Sequence, residues 1–198
     1  MLALVSMRAV IREVPEELLQ ERARKGWDRW DEVWEGVLHM VPPPNFLHQS
    51  LATKLAVFLG ARLEGRGIGT LVEAGMYRPG PIMSYRVPDL MFFPLAAGVA
   101  TERGIEGPAH VVVEILSPND ETYEKLDFYA AMGVSEIVVI HPTTRAVELY
   151  RLAGSKYLAT SADDRGRLHV ATIDVRLSTV AGPPPLLRVE HGGDAIEL

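Results

Sequence analysis

The spacing of apolar positions changes several times along the chain, and each change marks an element. In EELLQERARKG, Glu16 to Gly26, Pro15 and Gly26 stand where a short first helix starts and stops. RWDEVWEGVLHMV carries a Glu35-Gly36 pair at its middle and predicts a hairpin. PPPN then breaks the chain, with Asn45 placed as an N-cap. From there Leu47, Leu51, Leu55, Phe58, Leu59 and Leu63 recur at helical spacing, which predicts a long amphipathic helix fraying in EGRGIG.

TLVEAGMYRPG and VPDLMFFP read as two strands joined by a Pro/Gly-rich loop, with LAAGVATERGIEGP a longer loop beside the second. HVVVEIL is a β-branched run of the kind found in strands covered on both faces. Ser117-Pro118 and Asp120 then match a helix start in which the acid favours the positive end. Tyr123, Leu126, Tyr129 and Ala130 supply that helix with an apolar stripe, and Gly133 stops it. SEIVVIHP is a second buried-type strand. VELYRL and KYLATSA continue antiparallel, DDRG turns into RLHVATI, and the tail after Val180, with Pro183 to Pro185 and Gly192-Gly193, reads as irregular. Strand–helix–strand around residues 110–140 implies a parallel crossover inside a mixed sheet. The fold class is therefore α/β or α+β, in a single domain over residues 1–198, since no linker or repeat divides the chain.

Composition narrows the function classes. The 198 residues are 47% hydrophobic and 23% charged, enough to bury a real core. A net charge of -6 rules out a chain-wide basic field, while the 16 arginines leave a local patch open. Without cysteine there is no disulfide framework and no thiolate metal site, which suits a reducing, cytoplasmic setting. No apolar run reaches the length of a membrane span, and MLALVSMRAVIREV lacks the marks of a signal peptide.

Two acids stand out against this background. Alternation in HVVVEIL puts Val112, Glu114 and Leu116 on one face and Val111, Val113 and Ile115 on the other. Burying an unpaired carboxylate there costs on the order of several kcal/mol, so it must be paired, protonated, wetted or bound to metal. Asp89 in VPDLMFF poses the same question. Taken singly, each acid suits a strand end that reaches water. Taken together, at the ends of two apolar strands, they also suit a divalent-metal or acid–base site. Oxygen donors favour Mg²⁺ or Mn²⁺ over zinc, and His39, His48, His110, His141, His169 and His191 show no zinc-binding spacing. GRGIG reads as a helix stop rather than a nucleotide loop.

VPDLMFF, then VVVEILSP, then EKLDFYAAMGVSEIVVIHP resembles the bacterial Uma-two family of restriction-endonuclease-like proteins, within the PD-(D/E)XK nuclease superfamily. WEGVLHMVPPPNFLHQSLATKLAVFL resembles that family's opening segment, so the resemblance spans residues 28–152 and leaves additional strands after it. It implies a Mg²⁺- or Mn²⁺-dependent endonuclease acting on nucleic acid, DNA in particular. Asp89 and Glu114 would be metal ligands, and Ile115 would lend its carbonyl. The superfamily's lysine two positions past the Glu is replaced by Leu116, and Lys125 on the following helix is the candidate for its role. As a solvated helix residue, Lys125 would instead pair with Glu121 at i−4. His48 and Gln49 match the family's pair at the start of the long helix and would complete the catalytic set; otherwise His48 only hydrogen-bonds locally. Where the family ends its next strand in an aromatic and Asp-Pro, this chain has Val138 and His141-Pro142.

Two other classes stay open: a nuclease-fold module that binds nucleic acid or protein without turnover, and a two-carboxylate glycosidase. Trp27, Trp30 and Trp34 suit hairpin packing, a dimer face or base stacking. A homodimer is expected, because paired active sites suit double-strand cutting.

Overall fold

A computed structural model of the chain describes residues 14–80, 83–96, 99–117 and 121–198. Helix α1, Glu16–Lys25, ends where Gly26 turns left-handed (φ 65°) and returns its N–H to the carbonyls of Ala23 and Arg22. Strands β1 (Glu32–Trp34) and β2 (Val37–His39) form the predicted hairpin. Its turn residues Glu35 and Gly36 both have positive φ, 48° and 88°, as a two-residue hairpin turn requires. Trp34 stacks on His39 at 4.0 Å, with the Arg86 guanidinium 4.2 Å from its ring, so this tryptophan serves hairpin packing. Trp27 remains 45% exposed.

Helix α2, Phe46–Glu64, starts as expected at Asn45, whose side chain accepts from the His48 N–H. It buries Leu51, Leu55, Phe58, Leu59 and Leu63. The stretch predicted as one strand, TLVEAGMYRPG, is two: β3 (Ile68–Val72) and β4 (Gly75–Tyr77) lie in different sheets. Glu73, at φ 48°, breaks the run between them. A short strand, β5 (Tyr85–Arg86), lies in the stretch expected to be the Pro/Gly-rich loop, and the predicted strand VPDLMFFP narrows to β6 (Leu90–Pro94). The expected loop after it holds a hairpin, β7 (Val99–Thr101) and β8 (Gly104–Glu106), too short to show alternation.

Strand β9, Val111–Ile115, is buried at every position. The predicted helix start at Pro118 and Asp120 lies outside the described residues. A 3₁₀ turn, Tyr123–Lys125, leads into the short helix α3, Leu126–Ala131. Strand β10, Glu136–Ile140, returns parallel to β9, which is the predicted crossover. Strands β11 (Val147–Ala153) and β12 (Lys156–Ala159) continue antiparallel. RLHVATI supplies β13 (Leu168–Val170), and β14 (Val175–Val180) follows it. The tail after Val180 is not irregular: it forms β15 (Leu186–His191) and β16 (Asp194–Glu197). Pro183 to Pro185 and Gly192-Gly193 fall in the turns between these strands, where such residues belong.

The central sheet has the order β12-β11-β10-β9-β6-β3, flanked by the sheets β2-β1-β5-β4-β8-β7 and β13-β14-β15-β16. One face of the central sheet (Phe92, Val113, Val138) packs on α2 and on the C-terminal sheet through Leu177 and Val189. The opposite face (Met91, Val112, Val139) packs on Phe128 and Tyr129 of α3 and on Met76 and Ile105 of the first sheet. This is the mixed α/β class expected. Among the described residues no helix is long and apolar enough to cross a membrane.

Candidate active site

The two acids lie at neighbouring strands. Leu90 is opposite Val113 and Met91 opposite Val112 in the antiparallel β6–β9 pair. Carried one step further, that register brings Asp89, in the bend just before β6, opposite Glu114. Asp89 Oδ2 accepts the Ile115 N–H at 2.5 Å and lies 3.0 Å from His48 Nε2. The first turn of α2 delivers His48, because the Asn45 cap fixes where that helix begins. Its bond to Asp89 therefore spans the fold as well as the local cap. Gln49, one residue on, donates to Glu73, whose own N–H bonds the Asp89 carbonyl at 3.1 Å.

Glu114 is 3% exposed and accepts from the Tyr129 hydroxyl. Lys125 Nζ lies 3.4 Å from Glu114 Oε1 and 2.9 Å from Glu32 Oε1. Lys125 is thus turned inward, its side chain only 12% exposed, rather than solvated along a helix face. Because the chain enters α3 through a 3₁₀ turn, Lys125 is the last residue before the helix proper, and Tyr129 follows four positions later on the same side. Leu116, two positions past Glu114, packs against the apolar cluster around Phe128 and Tyr129. The Glu121 carboxylate meets His39 Nδ1 at 2.8 Å.

The electrostatics follow from this crowding. Burial pushes the Glu114 carboxyl up to about 8, with the charges of Asp89 and Glu32 adding to it while Lys125 and Tyr129 pull it back. Burial would lower Lys125, but Glu114 and Glu32 outweigh it and hold the ammonium charged. Tyr129 is raised well above a free tyrosine, by burial first and then by Glu114 and Glu32. Burial pulls His48 down, yet the bond and charge of Asp89, with Glu73 and Glu114 beyond, leave it raised overall.

Three participants carried no signal of their own in the sequence. Glu32 reads as one more charged residue of the hairpin, Glu73 as an acid within the stretch predicted as a single strand, and Tyr129 as part of an apolar stripe. Tyr129 alone could have been found, from its i,i+4 relation to Lys125. His141 places Nε2 2.9 Å from Glu148.

Among the described residues no three histidine or acidic side chains gather around one point as a metal cage. A hard dication such as Mg²⁺ does not need one: it keeps several waters and takes one or two carboxylates. Two carboxylates near enough for the charge of Asp89 to raise Glu114, the latter buried and short of full compensation, fit that donor pattern.

The chain matches the Uma2 family model, described as "Putative restriction endonuclease", over residues 15–178. No curated protein sequence matches it. Among solved structures, it is similar to "a putative nuclease belonging to DUF820" from Anabaena variabilis, with a TM-score of 0.59 at 17% identity. That likeness covers 73% of this chain and 83% of the other.

Proposed function

Because the chain belongs to the Uma2 family of restriction-endonuclease-like proteins, we propose that it is a Mg²⁺- or Mn²⁺-dependent endonuclease that hydrolyses phosphodiester bonds, with DNA as its substrate. The observation that carries this reading is the meeting of Asp89, Glu114 and the Lys125 ammonium at the shared end of two apolar strands. Asp89, Glu114 and the Ile115 carbonyl would hold the ion. When bound, it would lower the pKa of a coordinated water and offset charge on the scissile phosphate.

The chain's own groups do the rest. Lys125, beside Glu114, donates to the attacking water or to a phosphate oxygen and keeps its charge through the step. Tyr129 holds the Glu114 carboxyl from the buried side. His48 and the Ile115 N–H fix the rotamer of Asp89, and Gln49 supports the same end through Glu73. A homodimer would present two such sites to the two strands of a duplex.

One observation favours the alternative of a binding module without turnover: the Lys125 ammonium already stands 3.4 Å from Glu114 Oε1, beside the carboxyl that the metal would need. Metal titration separates the two. Plasmid and single-stranded DNA are incubated with Mg²⁺ or Mn²⁺ and either wild type or Asp89→Ala. The nuclease reading expects cleavage reduced about 10²-fold or more in the variant. Equal background in both proteins rejects it, and salt-dependent DNA binding without turnover would then select the module.

A further inference from the structure

Glu32 is 2% exposed, and both of its carboxylate oxygens are engaged by donors of this chain. Oε1 accepts the Val87 N–H at 2.9 Å and lies 2.9 Å from Lys125 Nζ; Oε2 accepts from the Trp34 indole at 2.8 Å. The Val87 bond ties Glu32 to the segment just before Asp89, and the Trp34 bond fixes its rotamer against its own hairpin. With three of its roughly four acceptor positions committed in this way, Glu32 makes a poor ligand for an incoming ion. It does make a rigid seat for a cation, and the cation in that seat is Lys125. The same ammonium is only 3.4 Å from Glu114, which the proposed reaction would commit to the metal. A lysine held by Glu114 alone would lose its partner at that moment.

We propose that Glu32 is the positioning residue for Lys125: it keeps the ammonium aimed at the Asp89–Glu114 pair after Glu114 turns to the metal, replacing the support that a lysine two positions past the Glu receives from its own strand. This rests on the nuclease reading given above. Glu32 touches neither metal nor substrate; it acts through Lys125.

The test compares Glu32→Gln, Lys125→Met and the double variant in single-turnover cleavage, in Mn²⁺ affinity by calorimetry, and in acetylation of Lys125 in the metal-free protein. The exposed Lys54 and Lys156 serve as internal standards for acetylation. Glu32→Gln is expected to slow cleavage at least tenfold while changing Mn²⁺ affinity less than threefold. The double variant should be no slower than Lys125→Met, and acetylation of Lys125 should rise severalfold in Glu32→Gln. An additive loss in the double variant, a fall in Mn²⁺ affinity matching that of Asp89→Ala, or unchanged Lys125 acetylation overturns the proposal. If wild type does not cleave, the nuclease reading fails, and the acetylation result still decides whether Glu32 seats the lysine. Should Glu32→Gln fail to fold, Glu32→Asp keeps the charge with one methylene less reach. A partial loss of rate at wild-type Mn²⁺ affinity then supports the proposal, and a fall in that affinity overturns it.

Discussion

Replacing Lys125 by methionine removes the one cation shown between Glu32 and Glu114 while keeping most of the side-chain volume. Breaking a buried ion pair by deleting one partner costs about 3–5 kcal/mol. Two features push the expected value to the low end. Glu114, already held up to about 8, takes a proton at neutral pH instead of standing charged, and Glu32 keeps its bonds to Val87 and Trp34. A loss of about 3 kcal/mol, with an unfolding entropy of about 2.1 cal/mol/K per residue over 198 residues, lowers Tm by about 7 °C. Cleavage should fall about 10²–10³-fold, the cost of removing one preorganised donor from a developing anion. Adding Leu116→Lys supplies an ammonium from the same strand face as Glu114, two residues or about 6.6 Å along. It should restore at least tenfold of the lost rate. The assays are differential scanning calorimetry and single-turnover plasmid cleavage with Mn²⁺. A Lys125→Met protein that melts and cleaves like wild type would refute the reasoning, since neither the burial nor the ion pairs would then have consequence.

Glu136 anchors the end of β10 by accepting from Arg151 Nε, Ala171 N, Thr172 N and Thr172 Oγ1. Burial opposes ionisation there, but the bonds from Thr172, Arg151 and Ala171 prevail and its pKa is lowered. A lowered carboxyl contributes stability above its unfolded value of about 4.3 and loses it as pH falls through the folded value. Glu136→Gln should therefore cost about 2 kcal/mol at pH 7 by urea denaturation, with the two curves converging in acid; a gap unchanged by pH contradicts this. Gly104 faces Gly75 in the parallel β4–β8 pair, and a Cβ built on it would lie 1.8 Å from the Gly75 carbonyl oxygen. Gly104→Ala should destabilise by roughly 3 kcal/mol or more, and a urea midpoint equal to wild type would show that β8 can move away at no cost.

The elements whose boundaries are set by neighbours in sequence were legible from the residues themselves. Helix α2 follows from leucines at helical spacing behind the Asn45 cap, β9 and β10 from β-branched runs, and the β1–β2 turn from Glu35-Gly36. Asp89 and Glu114 stood out for a related reason: a charge inside an apolar run is visible wherever the run is visible. The short strands β7 and β8 were not, because three residues carry too little pattern, and the proline and glycine turns of the tail concealed the strands between them.

What only the tertiary structure decided is which side chains meet. Periodicity records how often a residue turns inward, but not which strand lies beside it, so the register that sets Asp89 opposite Glu114 could not be read in advance. Lys125 reaches Glu114 because a 3₁₀ turn, rather than a continuous helix, precedes α3. Glu32 joins them from a hairpin 93 positions away in sequence from Lys125. Contacts of that span arise when separate sheets close around one core, and no local pattern along the chain encodes them.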